Sequence, residues 1–338
     1  MRRTWKSLLV GACVVSFVLL LGVFNATKPR ILILQSASPD APWVSEMDRG
    51  MRKALRANRR PIGVEWMYMD VAAPTASLRV GQAQAAARRA IARMKPDVLI
   101  AVDDEANLLV ARDYVGRTEP RILYVSLNGP PSDYGYQGAP NVTGISEHLP
   151  FSAVRDAVSI LFPGRKPGVS IIGVDSVTGR AEMAQARSFD WGPLTVHAAQ
   201  LVSSAAAWRD FVDSAAGSDV LVVLSCHDLP DDNGAVFTAP EASRWTQEHA
   251  KPLPIGLQVD FVQNGGALSF SPPPADNGAK AIQLALDWLD ERITPGAPQP
   301  MDSSHFEVAI RQKALAARGI TLPAIYIEAA RENETLRD

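Results

Sequence analysis

A chain of 338 residues, 47% hydrophobic and 21% charged, has the balance of a globular protein and too much length for one ordinary core, which points to two domains. Its formal net charge is −2, and it holds no run of Lys and Arg interleaved with aromatics, so a typical nucleic-acid binder is excluded. Its only two cysteines are Cys13 and Cys226. If the N-terminal segment is lost, no intrachain disulfide can form and the core alone must hold the fold.

Arg2, Arg3 and Lys6 precede an uncharged apolar run from Ser7 to Phe24. A positive flank before such a run reads as an export segment that leaves the rest of the chain outside the cytoplasm. The run just reaches spanning length, and Asn25-Ala26-Thr27 offers no clean small-x-small cleavage site. A membrane anchor is slightly favoured over a cleaved signal peptide, and both readings stay open. Val10-Gly11-Ala12-Cys13 resembles a lipoprotein box, but apolar residues continue past Cys13, where they should have ended.

After Lys28, strand-like and helix-like segments alternate. Strands are expected at 31–35, 64–69, 98–102, 122–127, 169–174, 196–202, 220–225 and 255–259. Several are continuous apolar runs, as parallel strands covered on both faces require. Between them Val44, Met47, Met51 and Leu55 make one helical stripe; 75–94 and 105–115 read as helices, as does 275–292, with Ile282, Ala285, Leu286 and Leu289 on one face. This alternation predicts an α/β protein of doubly wound parallel sheets.

The pattern breaks between Asn128 and Pro150, a stretch rich in Pro and Gly, with Val142–Ile145 read as a short crossing between lobes. A return crossing is expected over Gln263–Pro274 and a third near Pro295–Pro300. The expected division is residues 1–27 as the N-terminal segment, 28–143 with 268–298 as lobe 1, 144–267 with 299–330 as lobe 2, and 331–338 as a frayed tail.

These residues carry a resemblance. ILILQSASPDAPWVSEMDRGMRKAL (31–55), VEWMYMD (64–70), PDVLIAVDDEA (96–106), NVTGIS (141–146), IIGVDSVTGRA (171–181) and KALAARGITLP (313–323) resemble, in that order and spacing, the ABC-transporter substrate-binding family related to tryptophan- and tyrosine-import binding proteins. In the opening motif the matching positions are Ser36, Trp43, Glu46 and Gly50. The chain departs from the family at Ala37-Ser38-Pro39 and at Val71-Ala72-Ala73-Pro74. The resemblance implies the type I periplasmic-binding-protein fold, two α/β lobes joined by three crossings and closing on a ligand, with an amino acid as the ligand class.

In open parallel sheets the ligand crevice lies at the carboxyl ends of the strands, and the candidate ligand contacts follow from that rule. Ser36 ends the first strand, where a hydroxyl beside free N–H groups suits an anion; it equally suits a helix cap. Trp43 would stack on a planar or apolar ligand, or pack under its helix. Asp103 and Asp104 end the third strand and could accept from an amine or sugar hydroxyls, with Asp104 the better helix cap. Asn128 ends the fourth strand. Asp175 and Thr178 open the second lobe and lack Walker spacing. Ser225 and His227 flank Cys226 at another strand end, although neighbours in sequence rarely form a working Cys–His pair. Asp260 follows the last strand.

No zinc spacing, GxSxG elbow or dinucleotide fingerprint occurs, so no metal, no cofactor and no enzyme activity are expected. The reading is a periplasmic or extracytoplasmic solute-binding protein of an ABC-type uptake system. It would be a monomer, with a small polar ligand in the cleft and a membrane permease or sensor as partner. A membrane-tethered sensing protein and an exported hydrolase using 225–228 are the alternatives.

Overall fold

The structure is a computed structural model that describes residues 2–293 and 305–338. It opens with a helix, α1 (Arg2–Thr27), whose side chains from residue 11 to 24 are exposed, Phe17, Leu19 and Leu20 among them. Among the described residues no helix is long and apolar enough to cross a membrane.

The next part alternates as predicted: β1 (Arg30–Gln35), α2 (Pro42–Ala57), β2 (Gly63–Tyr68), α3 (Val80–Met94), β3 (Val98–Val102), α4 (Asp103–Leu109), β4 (Arg121–Leu127) and β5 (Val142–Ser146). The five strands form one parallel sheet in the order β2-β1-β3-β4-β5. Ile31–Leu34 and all of β3 are fully buried, as expected for strands covered on both faces. Met47 and Met51 of α2 lie under the sheet, Val44 is buried nearer the strand ends, and Leu55 is only half-buried.

The chain continues through α5 (Phe151–Leu161), β6 (Gly168–Val174), α6 (Val177–Ser188), β7 (Thr195–Val202), α7 (Ala205–Ser214) and β8 (Val220–Val223). A short hairpin of β9 (Leu229–Pro230) and β10 (Val236–Phe237) precedes α8 (Ala239–His249), β11 (Leu253–Gly256), α9 (Asp260–Gln263) and β12 (Leu268–Ser271). Then come α10 (Pro274–Leu289), β13 (Glu307–Arg311), α11 (Gln312–Ala317), α12 (Ala324–Glu332) and β14 (Leu336–Arg337). The second sheet has the order β14-β13-β12-β11-β8-β6-β7 and is parallel except between β12 and β13.

Several boundaries differ from the sequence reading. Val142–Ser146 pairs along β4, so the first sheet runs through Ser146 and the chain leaves it only afterwards. β12 belongs to the second sheet, so the return falls at Pro272-Pro273, from which α10 packs against α2. The contact is close because both helices carry glycine there. A Cβ at Gly50 would sit 1.8 Å from the Ala275 carbonyl oxygen, and one at Gly278 would sit 2.2 Å from that of Met47. The expected third crossing at 295–300 lies outside the described residues. The tail is not frayed: Leu336 and Arg337 pair with β13, and Thr335 Oγ1 donates to the Val308 carbonyl at 2.6 Å. The helix expected at 105–115 begins two residues earlier and ends at Leu109, followed by a 3-10 turn, Ala111–Tyr114.

Candidate functional site

In the first sheet, β1 and β3 are neighbours whose connections leave in opposite directions. In the second, β6 and β8 stand in the same relation. Such switch points open a crevice outside the strands' carboxyl ends. Residues that follow β1, β3, β6 and β8 meet there, and between the two halves lies a cavity of about 280 Å³. The backbone bends sharply on the first-sheet side: Asp70, Asp103 and Ser126 all take left-handed φ values of 52°, 70° and 51°. Asp tolerates this conformation better than most residues, and Asp70 and Asp103 both reach the cavity wall.

Of the ten residues expected from the sequence, seven line this cavity: Trp43, Asp103, Asn128, Thr178, Ser225, His227 and Asp260. Three do not. The Ser36 hydroxyl is fully buried, donating to the Val102 carbonyl and accepting from the Ala106 N–H, each at 2.8 Å; it ties β1 to β3 and α4. Asp104 is saturated by neighbours: it accepts from the Tyr134 hydroxyl, from the Gly129 N–H at 3.0 Å and from Asn128 Nδ2 at 3.1 Å. Asp175 turns outward to pair with Arg180 at 2.5 Å. A strand-end position was therefore not enough; each of these three side chains is taken up by a partner of its own.

The two halves touch through Thr178, in the first turn of α6. Its hydroxyl lies 2.8 Å from Asp103 Oδ1, 3.2 Å from Asp104 Oδ2 and 3.1 Å from Glu105 Oε2. One hydroxyl has one proton to give, so it cannot satisfy three carboxylates at once. Burial, with the neighbouring carboxylates next, pushes Asp103 well above the usual range and Glu105 to about 7. Gln185 bridges the halves again, its amide nitrogen donating to the Asn128 carbonyl at 2.9 Å and to that of Glu147 at 3.0 Å.

Sequence reading missed several residues at the site. Glu147 and Gln258 line the cavity, and each sits just past a strand of its sheet, so the strand-end rule could have found them. Glu182, inside α6, gave no such signal; it is fully buried and accepts from the Ser225 N–H at 2.9 Å and hydroxyl at 2.5 Å. Burial raises Glu147 and Glu182 to about 7 and Asp260 to about 6. It also pushes the Cys226 thiol up to about 12 and lowers His227 to about 4. A protonated thiol beside a neutral imidazole makes no activated nucleophile. Among the described residues no cluster of His, Cys, Asp and Glu is arranged to hold a metal.

No protein-family model and no curated protein matches the sequence. Solved structures do. A conserved domain protein from Vibrio cholerae is 17% identical with a TM-score of 0.69, covering 92% of this chain and 100% of that one. An ABC domain from Streptococcus pneumoniae in complex with L-Trp is 17% identical with a TM-score of 0.65, covering 88% and 98%. A substrate-binding protein with adhesive properties from Clostridium difficile, in its ligand-free, open form, is 17% identical with a TM-score of 0.60, covering 91% and 98%. The likeness shows the fold: two parallel-sheet α/β halves of the type I periplasmic-binding-protein class.

Proposed function

We propose that this chain is an extracytoplasmic solute-binding protein of an ABC-type uptake system, which captures a small polar solute between its two halves and presents the closed form to a membrane permease. The observation that carries this reading is the cavity itself. Both halves line it, and it holds buried polar atoms with no partner in the protein: Asn128 Oδ1, Asp260 Oδ1, His227 Nε2 and Trp43 Nε1. Unpaired buried polar groups cost stability unless something else pairs with them, and a bound solute would do so. Closure then needs no chemistry, only contacts that exist in the closed state and not in the open one. In this reading Trp43, Asp103, Asn128, Thr178, Ser225, His227 and Asp260 face the solute. The division into lobes follows the two sheets, and the apolar N-terminal segment exports or tethers the protein.

A thermal-shift screen of the purified protein with amino acids, amines, sugars and nucleosides tests this, because a ligand that binds only the folded state raises its apparent stability. At least one class should raise the melting temperature, and Asp103→Ala should remove that shift. Turnover of a solute by the purified protein would overturn the reading.

A further inference from the structure

We propose that the cavity takes an organic amine, a ligand with a positive charge, an apolar body and no carboxylate. This names the substrate class of the site above and rests on the solute-binding reading.

Three observations carry it. First, six carboxylates line the cavity, those of Asp40, Asp70, Asp103, Glu147, Asp228 and Asp260, and among the described residues no lysine or arginine does. Only Asp70 of the six has an ion pair among these residues, with Arg79. An amino acid would bring its own carboxylate into this field without a cationic side chain to receive it.

Second, the unpaired buried oxygens at the wall are all acceptors. Asn128 is 7% exposed, and its Nδ2 faces Asp104 Oδ2 at 3.1 Å and the Ser126 carbonyl at 3.4 Å. Both of those groups accept, so the amide cannot be flipped and its Oδ1 is left without a donor. Gln258 Nε2 faces Glu182 Oε1 at 3.4 Å, and its Oε1 is buried with no partner. Asp260 Oδ1 is also buried and unpaired. A ligand that pairs with these three oxygens must be rich in N–H donors. The two unpaired nitrogens, Trp43 Nε1 and His227 Nε2, suit a hydroxyl or ring acceptor and supply no charge to balance an anion.

Third, the remaining wall is apolar and aromatic, with Trp43, Val44, Leu224 and Phe261 among its side chains. An aromatic ring in a wall that also carries carboxylates is a favourable setting for an ammonium group. The raised values of Glu147 and Asp260 agree with an empty site that lacks a cation; an amine in place would draw both carboxyls down.

The test is a calorimetric titration of amines against the amino acids from which they differ only by the carboxylate: tryptamine against L-tryptophan, tyramine against L-tyrosine, agmatine against L-arginine. At least one amine should bind roughly 100-fold more tightly than its amino acid. The neutral alcohol of the same shape, tryptophol for tryptamine, should lose most of that affinity. This arm changes the ligand and so does not depend on a variant that folds. Asp260→Asn should weaken the amine by about 10-fold or more. If an amino acid binds as well as its amine, or if sugars or nucleosides bind while no amine does, the inference is overturned and solute binding stands. If no solute of any class binds, the solute-binding reading fails and takes the inference with it.

Discussion

Raising the pH on the ligand-free protein should destabilise it, and two buried glutamates each carry a definable share of that loss. Glu147 and Glu182 are 1% and 0% exposed, and burial raises both from 4.5 to about 7. Glu147 is hydrogen-bonded by Ser126, Gln258 and Asn277, Glu182 by Ser225 and Gln258, and the charges of Asp104 and of the other glutamate raise Glu147 further. Hydrogen bonds from Ser126, Ser225 and Gln258 offset only part of the desolvation. The folded state therefore keeps protons that the unfolded chain has already lost between about pH 4.5 and 7, and unfolding free energy falls as pH rises through that window. Each group contributes a loss of about 3 kcal/mol by the time both states are ionised, at about 1.4 kcal/mol per pH unit. Two such groups remove a large share of an ordinary domain's total stability of roughly 5–15 kcal/mol. Urea denaturation at steps between about pH 5 and 8 reads this directly. Glu147→Gln and Glu182→Gln should each take about 1.4 kcal/mol per pH unit off the slope within the window, since an amide holds no titrating proton, and the raised Glu105 and Asp260 should keep the remainder sloping. A wild-type curve that is level or rises across the window, or variants that keep the full slope, would refute the reasoning.

Thr178→Val removes the hydroxyl that Asp103, Asp104 and Glu105 share and should move the ligand-free protein toward an open form by about 1–2 kcal/mol. Small-angle scattering checks it, and a variant as compact as the parent counts against the contact. Gly50→Ala drives a methyl into the Ala275 backbone and should cost about 1–3 kcal/mol; an unchanged urea midpoint would mean that α2 and α10 can part freely. If residues 7–24 tether the protein, the full chain stays with membranes after an alkaline wash, and Leu19→Asp with Leu20→Asp releases it. A mature N-terminus beyond residue 27 would contradict the tether.

Much of the fold could be read from the sequence because its strands are unusually plain. Ile31–Leu34 and Val98–Val102 are uninterrupted apolar runs, and such runs have few other uses than a covered parallel sheet. Edges and crossings were harder. Val142–Ser146 is short, flanked by Pro and Gly, and looks like a connector until its pairing with β4 is known. Leu336 and Arg337 join the second sheet only because β13 offers them an edge, a long-range cause that local composition does not record. At the site, strand-end position found seven residues that line the cavity. It could not tell that Ser36 and Asp104 have partners of their own, because the Val102 carbonyl and Tyr134 are brought close by folding; the Asp175 partner, Arg180, is only five residues on and could have been suspected. Glu182 escaped notice because a helical Glu usually faces water.

The seating of α10 on α2 has a consequence for how the molecule is made. The first sheet is covered on its α2 side partly by a helix that arrives from the far end of the chain, after the second sheet has been threaded. While the ribosome is still working toward residue 289, the N-terminal body lacks one of its walls. The α2 and α10 glycines make that late wall fit closely, so the first sheet gains its full cover only when the second is complete.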